Sequence, residues 1–184
     1  MTPTRIFIDY WNFQLAWKRR CQKNCDWTKL PNALVASAAS IAPHLGALRL
    51  DDVRVYASVN PDRPNDGKLR NWLETFLDRQ PGFRVFIRER KSRVAPVHCR
   101  NCNKATDACP HCQTKLERAV EKGVDSAILT DMFSLAWEKA YEVAILVTSD
   151  ADMKPAVEKI QDRGLKVINA TWTNAGHELA KTCW

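Results

Sequence analysis

Apolar residues along the chain follow two alternating patterns, short unbroken runs and helical spacings. The clearest run is Val143–Val147, in which five apolar residues follow one another without a polar break. Such a run is typical of a strand that is buried on both faces of a parallel sheet. Similar short runs predict four further strands, at residues 5–9, 53–59, 83–87 and 166–170.

Helical spacing of apolar residues separates these runs. Leu69, Leu73 and Phe76, for example, fall on one face of a helix. The same reasoning predicts helices from residue 12 onward, over about 31–44, 68–79, 124–139 and 153–163, and at the C-terminus. Strands that alternate with helices imply right-handed βαβ units. The chain is therefore expected to be α/β, with a mainly parallel five-stranded sheet flanked by helices.

The alternation stops between residue 88 and about residue 115, where a cysteine-rich segment lies. Two CxxC pairs separated by six residues occur there, formed by Cys99, Cys102, Cys109 and Cys112. Two such pairs can present four thiolates to one ion, which completes a tetrahedral structural zinc site. The alternatives are two disulfides, which a reducing cytosol disfavours, and a redox CxxC, which lacks a thioredoxin-like context. We expect a single domain over residues 1–184 with a zinc-ribbon-like lobe at 95–115 that folds by metal ligation.

Positive charge is concentrated around this segment. The chain carries a net charge of +7, and residues 83–122 contain ten Lys or Arg against four Asp or Glu. Excess basic charge favours a polyanionic partner, above all nucleic acid. We expect the basic stem of the insert to contact phosphates without reading bases, and a solvated charged hairpin is the alternative. The residues concerned are Arg88, Arg90, Lys91, Arg93, Arg100 and Lys104.

The sequence offers no sign of a membrane segment. No apolar run approaches the roughly 20 residues needed to span a bilayer, and the N-terminus shows no secretory signal pattern. We therefore expect a cytoplasmic protein without a membrane partner. The oligomeric state is not predicted.

Carboxylates follow two of the predicted strands. Asp150 and Asp152 come after Val143–Val147, and Asp9 ends the first strand, three residues before Asn12. In open α/β sheets, ligands bind beyond the carboxyl ends of the strands. These side chains are therefore candidates for a shared site. The alternative is that Asp150 and Asn12 only cap the helices that follow.

Two further carboxylates belong to the helix predicted after Gly123. Asp131 falls within its apolar stripe, and Asp125 lies at the N-terminal edge, where it could also act as a cap. A carboxylate on a core-facing stripe is costly unless it is paired, hydrogen-bonded or bound to a metal. Asp125 and Asp131 are six residues apart, which is about 9 Å along a helix axis. Both could therefore line one pocket, but they could not both coordinate one ion closely.

Three segments contain these candidates, and they read RIFIDYWNF, EKGVDSAILTDM and AILVTSDADMKPAVEKIQDRGLKV. Together they resemble the NYN domain, a branch of the PIN-like nuclease superfamily, over residues 5–170. The resemblance implies a Rossmann-like sheet with strand order 3-2-1-4-5, and an acidic cluster that binds Mg²⁺ or Mn²⁺ for RNA cleavage. A four-cysteine insert is not a general feature of this family. The matched site residues are Asp9 and Asn12, Asp125 with Asp131, Asp150 and Asp152, and Ser149 at the small hydroxyl position.

The chemistry of these residues fits a divalent metal site, because carboxylate oxygens suit Mg²⁺, which keeps several waters and uses one or two protein carboxylates. We expect Asp9 and Asp150 to ligate the metal directly, and Asp125 and Asp152 to act through water. Asn12 would position a carboxylate or a phosphate oxygen. The predicted function is an Mg²⁺- or Mn²⁺-dependent ribonuclease that cuts RNA internally. The alternatives are an inactive RNA- or DNA-binding module, a DNA nuclease and another metal-dependent phosphoryl hydrolase.

Substrate contacts are expected near the acids and from the basic stem. Trp11 or Trp27, if exposed, could stack on bases, although the seven tryptophans are expected to lie mostly in the core. The expected contact residues are Ser149, Arg88, Arg90, Lys91, Arg93, Lys122 and Lys154. Nucleic acid, above all RNA, is therefore the expected partner.

Overall fold

The computed structural model describes residues 1–94, 96–98, 102, 104–120 and 123–184. Within these ranges the strands are β1 Thr2–Asp9, β2 Leu48–Val59, β3 Phe83–Glu89, β4 Lys91–Val94, β5 Val97–His98, β6 Ala105–Thr106, β7 Glu117–Val120, β8 Val143–Val147 and β9 Lys166–Asn169. The helices are α1 Tyr10–Cys21, α2 Leu30–Ile41, α3 Pro64–Trp72, α4 Val124–Trp137, α5 Lys154–Gln161 and α6 His177–Thr182.

Five strands form one all-parallel sheet in the order β3-β2-β1-β8-β9. β1 is central, because Ile6 pairs with Val53 of β2 on one side and with Ile145 of β8 on the other. Every residue of β8 is buried, as its unbroken apolar sequence predicts. The α/β class and the parallel five-stranded sheet are therefore confirmed.

The strand numbering differs from the expected order 3-2-1-4-5, because the described residues between β3 and β8 form four short strands. These strands form two antiparallel pairs outside the main sheet, β4 with β7 and β5 with β6. Each is two to four residues long, which is too short to produce a hydrophobic pattern. The fourth and fifth strands of the main sheet are therefore β8 and β9.

Helices cover both faces of this sheet. Ile6 and Ile8 of β1 belong to the same core as Phe13 of α1 and Ala38 of α2. Phe7 belongs to the core on the other face, together with residues of α4, α5 and α6. This alternation follows from the two-residue period of a strand. Because helices cover both faces, the strand ends are where polar groups of the sheet can meet a ligand.

Two helices begin earlier than expected. α1 begins at Tyr10, because Asp9 Oδ1 accepts a hydrogen bond from the backbone N–H of Asn12 (3.1 Å) and caps the helix. The helix expected over residues 68–79 begins at Pro64, whose fixed φ suits a first turn, and it ends in a π-helical turn, Leu73–Leu77. None of the helices that the structure describes is both long and apolar enough to cross a membrane.

Of the four cysteines expected to bind zinc, Cys99 lies outside the described residues. Cys102, Cys109 and Cys112 are free thiols, which contradicts the alternative of two disulfides. Across the described ranges, no group of three or more His, Cys, Asp or Glu side chains is close enough to hold a metal ion. Zinc binding by this segment therefore stays a prediction.

Candidate active site

A cleft of about 240 Å³, which we name the acidic cleft, lies at the carboxyl ends of β1 and β8 beside the N-terminus of α4. Residues from all three matched segments line it, namely Asp9, Asn12, Asp125 and Asp150. The lining is completed by Trp11, Leu15, Gly123 and Val124. The fold thus brings together side chains that are far apart in the sequence.

Asp9 is the last residue of β1 and is largely buried, with 8% of its surface exposed. Its Oδ1 atom caps α1, and the hydroxyl of Thr148 donates a long hydrogen bond to Oδ2 (3.4 Å). The same carboxylate lines the acidic cleft. Capping and a place in the cleft are therefore compatible for this residue.

Asp150 follows β8 and repeats this arrangement. Its Oδ1 accepts a hydrogen bond from the backbone N–H of Asp152 (2.9 Å) and caps the 3₁₀ turn Ala151–Met153, which precedes α5. Its own backbone N–H donates to the hydroxyl of Thr148 (3.2 Å), the group that also reaches Asp9. Thr148 therefore bridges the two strand ends. Sequence reasoning missed this role, although the signal was a hydroxyl directly after an apolar strand.

Asp125 and Asp152 differ in their relation to the cleft. Asp125 is exposed in the first turn of α4 and lines the cleft. A carboxylate there is also favoured by the positive end of the helix dipole. Asp152 is exposed as well, but it does not line the cleft. The structure thus separates two carboxylates to which the sequence assigns similar roles.

Asn12 connects α1 to the loop after β8. Its Oδ1 accepts two hydrogen bonds from Ser149, one from the backbone N–H (3.0 Å) and one from the hydroxyl (2.7 Å). The side-chain oxygen is thereby occupied, and the Nδ2 group is the part of the amide that can donate to a further partner. Ser149, which was predicted to contact substrate, holds Asn12 in place.

Gly176 is a second residue that sequence reasoning missed. Its φ is 69°, and a Cβ at this position would lie 3.0 Å from the Cα of Ser149 and 2.6 Å from the hydroxyl oxygen of Thr171. Glycine satisfies both the backbone conformation and the close approach. It therefore lets the segment before α6 pack against the loop that carries Ser149. The signal in the sequence was a glycine directly before a short helix.

Asp131 lies outside the acidic cleft, in a neighbouring cavity of about 380 Å³. Its Oδ2 accepts hydrogen bonds from Arg54 of β2 (2.8 Å) and from the hydroxyl of Tyr56 (2.7 Å). Burial, and after it the hydrogen bond to Asp131, raises the pKa of Tyr56, so the phenol remains a donor. The carboxylate on the apolar stripe is therefore paired, as its position requires, and its partner is a buried arginine.

The donor set of the acidic cleft fits a hard divalent cation. The titratable side chains that the structure describes in its lining are carboxylates, and hard cations prefer oxygen ligands. The part of the chain that the structure describes holds no cluster of three ligands. Mg²⁺ does not require one, because it uses one or two protein carboxylates and keeps several waters. Asp9 and Asp150, which share Thr148 as a partner, are the pair that could hold it.

Arg88 and Arg90 have different surroundings. Arg88 is exposed and lines the cavity of Asp131, beside the acidic cleft. Arg90 pairs with Asp66 (2.7 Å), and its guanidinium carbon lies over the ring of Trp11, 4.6 Å from the centroid. Arg90 therefore supports Trp11, whereas the side chain of Arg88 is exposed at the wall of a cavity.

The remaining basic residues of the prediction lie elsewhere. Lys154 is 3.7 Å from Glu178 of α6 and only partly exposed. Lys91 and Arg93 lie in β4, outside the main sheet. Lys122 lies outside the described residues. Among the predicted substrate contacts whose side chains the structure describes, Ser149 and Arg88 lie in cavities beside the carboxylates.

The two tryptophans considered for base stacking also differ. Trp11 lines the acidic cleft, and its indole N–H donates to the backbone oxygen of Ser58 (2.6 Å). Trp27 is 5% exposed and stacks on Tyr10 in the core, 5.5 Å between centroids. Trp27 is therefore a core residue, as expected for most of the tryptophans, and Trp11 is the one of the two that lines the cleft.

Comparison with known proteins gives a family and a fold. The NYN domain family matches residues 3–183, which include all the residues of the acidic cleft. A solved structure of a protein of unknown function from Vibrio parahaemolyticus is similar in fold, with a TM-score of 0.52 and 19% identity, covering 91% of this chain and 80% of that chain. No curated protein matches the chain. The chain belongs to the NYN domain family and has the fold of the PIN-like nucleases.

Proposed function

We propose that the protein is a metal-dependent ribonuclease that hydrolyses internal phosphodiester bonds of RNA in the acidic cleft. The observation that carries this proposal is the convergence of Asp9, Asn12, Asp125 and Asp150 from three distant segments on one cleft. Their carboxylate oxygens are the ligands that hard divalent cations prefer. Membership of the NYN domain family supports a nuclease over other phosphoryl hydrolases.

Asp9 and Asp150 would hold Mg²⁺ or Mn²⁺. Asp9 ends β1 and Asp150 follows β8, both cap the helical turn that comes next, and Thr148 joins them. The caps limit the orientations of both carboxylates, which prepares them for a ligand. When bound, such an ion neutralises charge on a phosphoryl oxygen and lowers the pKa of a coordinated water.

The other residues of the cleft would position the substrate and the attacking water. Asp125, exposed at the start of α4, holds that water through a carboxylate oxygen and accepts its proton. Asn12 Nδ2 donates to a non-bridging phosphate oxygen while Ser149 holds its Oδ1. One water is consumed for each cut, because its oxygen bonds to phosphorus as the bond to the leaving ribose oxygen breaks and that oxygen is protonated.

A pair of matched variants tests the proposal. Purified wild type, Asp150→Asn and Asp152→Asn are incubated with labelled RNA and with labelled DNA, in Mn²⁺ or in EDTA. Both substitutions remove one carboxylate charge from the same loop, but only Asp150 lines the acidic cleft. We expect Asp150→Asn to lower kcat/KM at least about 100-fold, equivalent to about 2.7 kcal/mol of transition-state stabilisation. Asp152→Asn should stay within about 3-fold of wild type, a difference of about 0.7 kcal/mol.

The outcomes separate the candidate functions. Cleavage that persists in EDTA and in Asp150→Asn would show that the acidic cleft is not the active site. RNA binding without cleavage under any condition would favour an inactive binding module. Faster cleavage of DNA than of RNA would favour a DNA nuclease.

We also propose structural zinc in the insert, bound by Cys99, Cys102, Cys109 and Cys112. The support is the spacing of the two CxxC pairs in a segment too short to build a core. Protein purified without chelators should contain one zinc per chain by metal analysis, and Cys109→Ser should lose it. Absence of stoichiometric zinc from wild type would refute the site.

A further inference from the structure

A second cavity, of about 290 Å³, continues the acidic cleft along α1. The two cavities share Trp11, Asn12 and Leu15. Beyond the shared residues, the second cavity is lined by Ala16, Arg19, Arg20, Ser149 and Ala175. Together they form one groove, which we name the α1 groove, running from the carboxylates toward the C-terminal end of α1.

The far end of the α1 groove is basic. Arg19 and Arg20 are exposed in the last turn of α1, and neither forms an ion pair with any residue that the structure describes. By contrast, the exposed Arg49 pairs with Asp51 (2.8 Å). Cations in a last turn are favoured by the helix dipole, which accounts for basic residues on α1. The dipole does not explain why Arg19 and Arg20 line a cavity that is continuous with the acidic cleft.

Aromatic rings accompany these arginines. Trp11 lines both cavities, and it is held by the bond to Ser58 and by Arg90 over its ring. The guanidinium carbon of Arg20 lies over the ring of Trp172, 5.5 Å from the centroid. Proteins bind single-stranded nucleic acid by this combination, with cations on the phosphates and aromatic rings on the bases. Guanidinium groups add bidentate hydrogen bonds to phosphate.

We propose that the α1 groove binds a single strand of the substrate on one side of the cut, with its phosphates on Arg19 and Arg20. Seven residues separate Asn12 from Arg19, about 10 Å along the helix axis, so the arginines bind phosphates beside the one at the carboxylates. The inference rests on the proposed function for the place of the cut. The binding itself needs neither metal nor cleavage.

The chain provides a matched control for the test. Lys18 lies in the same last turn of α1, is exposed and carries the same charge, but it lines neither cavity. Fluorescence anisotropy of a labelled single-stranded RNA of about 12 nucleotides is measured with wild type, Arg19→Ala, Arg19→Lys and Lys18→Ala. All titrations are made without added Mg²⁺ or Mn²⁺ and without chelators, so that zinc in the insert is retained, at salt concentrations from about 50 to about 200 mM.

Arg19→Ala should reduce the slope of log Kd against log salt by about 0.7, the value for one lost phosphate contact on a single strand. The affinity of wild type should therefore fall about 2.6-fold more than that of Arg19→Ala over this salt range. Lys18→Ala should change the slope by less than half as much, and Arg19→Lys should largely restore it. Unchanged thermal midpoints show that each variant is folded.

Three results would overturn the inference: equal effects of Arg19→Ala and Lys18→Ala, tighter binding of a duplex of the same sequence, or no binding by wild type. The proposed function can fail separately. If Arg19→Ala weakens the salt dependence as expected but Mn²⁺ brings no cleavage, RNA binding by the α1 groove is supported and the nuclease activity is refuted. If cleavage depends on Asp150 while Arg19→Ala and Lys18→Ala change the salt slope equally, the nuclease activity is supported and RNA binding by the α1 groove is refuted.

Discussion

The two hydrogen bonds between Asn12 and Ser149 lead to a prediction about how Ser149 acts. Asn12→Ala removes the acceptor of both bonds, whereas Ser149→Ala removes the hydroxyl bond (2.7 Å) and leaves the backbone bond (3.0 Å). A neutral hydrogen bond contributes about 1 kcal/mol net to stability. Ser149→Ala should therefore lower the free energy of unfolding by about 1 kcal/mol. Asn12→Ala should lower it by about 1.5 kcal/mol, since alanine recovers about 0.5 kcal/mol of helix propensity in α1.

The double variant decides whether Ser149 acts through Asn12. Once the amide is removed, the hydroxyl has no acceptor there, so Ser149→Ala should cost nothing further. The expected interaction energy is about 1 kcal/mol in urea denaturation, which corresponds to about 2–4 °C in the thermal midpoint at this chain length. The effect of Ser149→Ala on kcat/KM should likewise disappear in the Asn12→Ala background.

Ser40→Ala is a suitable control, because its hydroxyl donates to Ser37 of α2 (2.8 Å) at an exposed site outside the cleft. It should leave cleavage unchanged. Additive losses of stability and activity in the double variant would refute the positioning role. They would indicate that Ser149 contacts the RNA independently of Asn12.

Three further predictions concern residues outside the acidic cleft. Asp131→Asn removes the charge that Arg54 binds, so the free energy of unfolding in urea should fall by about 1–3 kcal/mol while kcat is unchanged. A loss of kcat at unchanged stability would instead indicate that Asp131 takes part in the reaction. Burial opposes ionisation of Asp66, but a backbone N–H and Arg90 outweigh it and lower its pKa. The ionised Asp66 therefore stabilises the fold above the pKa of the unfolded chain, and this contribution is lost as the pH falls through the lower pKa of the folded protein. Asp66→Asn should thus reduce the loss of stability at acid pH in a curve of unfolding free energy against pH. An unchanged acid part of the curve would contradict this role. Burial raises the pKa of Cys183 to about 12, so iodoacetamide at neutral pH should modify it far more slowly in the native protein than in urea; equal rates would contradict its burial.

Local patterns were sufficient to predict the sheet and the polar groups at its edge. β8 could be predicted because a strand covered on both faces needs an unbroken apolar run. Asp9 and Asp150 could be placed together because parallel strands end at the same edge of a sheet. The strands of the insert could not be predicted, since strands of two to four residues leave no periodic pattern of apolar residues.

Long-range pairing explains which contacts around the candidate site could not be predicted from the sequence. The apolar stripe of α4 shows that Asp131 needs a partner, but that partner is Arg54 of β2, 77 residues away. A buried arginine in the middle of a strand looks in sequence like a solvent-facing position. The contact of Ser149 with Asn12 could not be predicted for a similar reason, because 137 residues separate the two in the sequence.

Capping and ligand binding can use different oxygens of one carboxylate at these strand ends. Asp150 Oδ1 accepts the backbone N–H of Asp152, just as Asp9 Oδ1 accepts that of Asn12. Asparagine caps a turn about as well as aspartate, so Asp150→Asn keeps the turn and removes only the charge. Asp150→Ala would also lose the cap, at a cost of about 1 kcal/mol, and reduced cleavage could then come from a displaced loop. An asparagine variant that is inactive and yet as stable as wild type is therefore the result that assigns Asp150 to the chemistry.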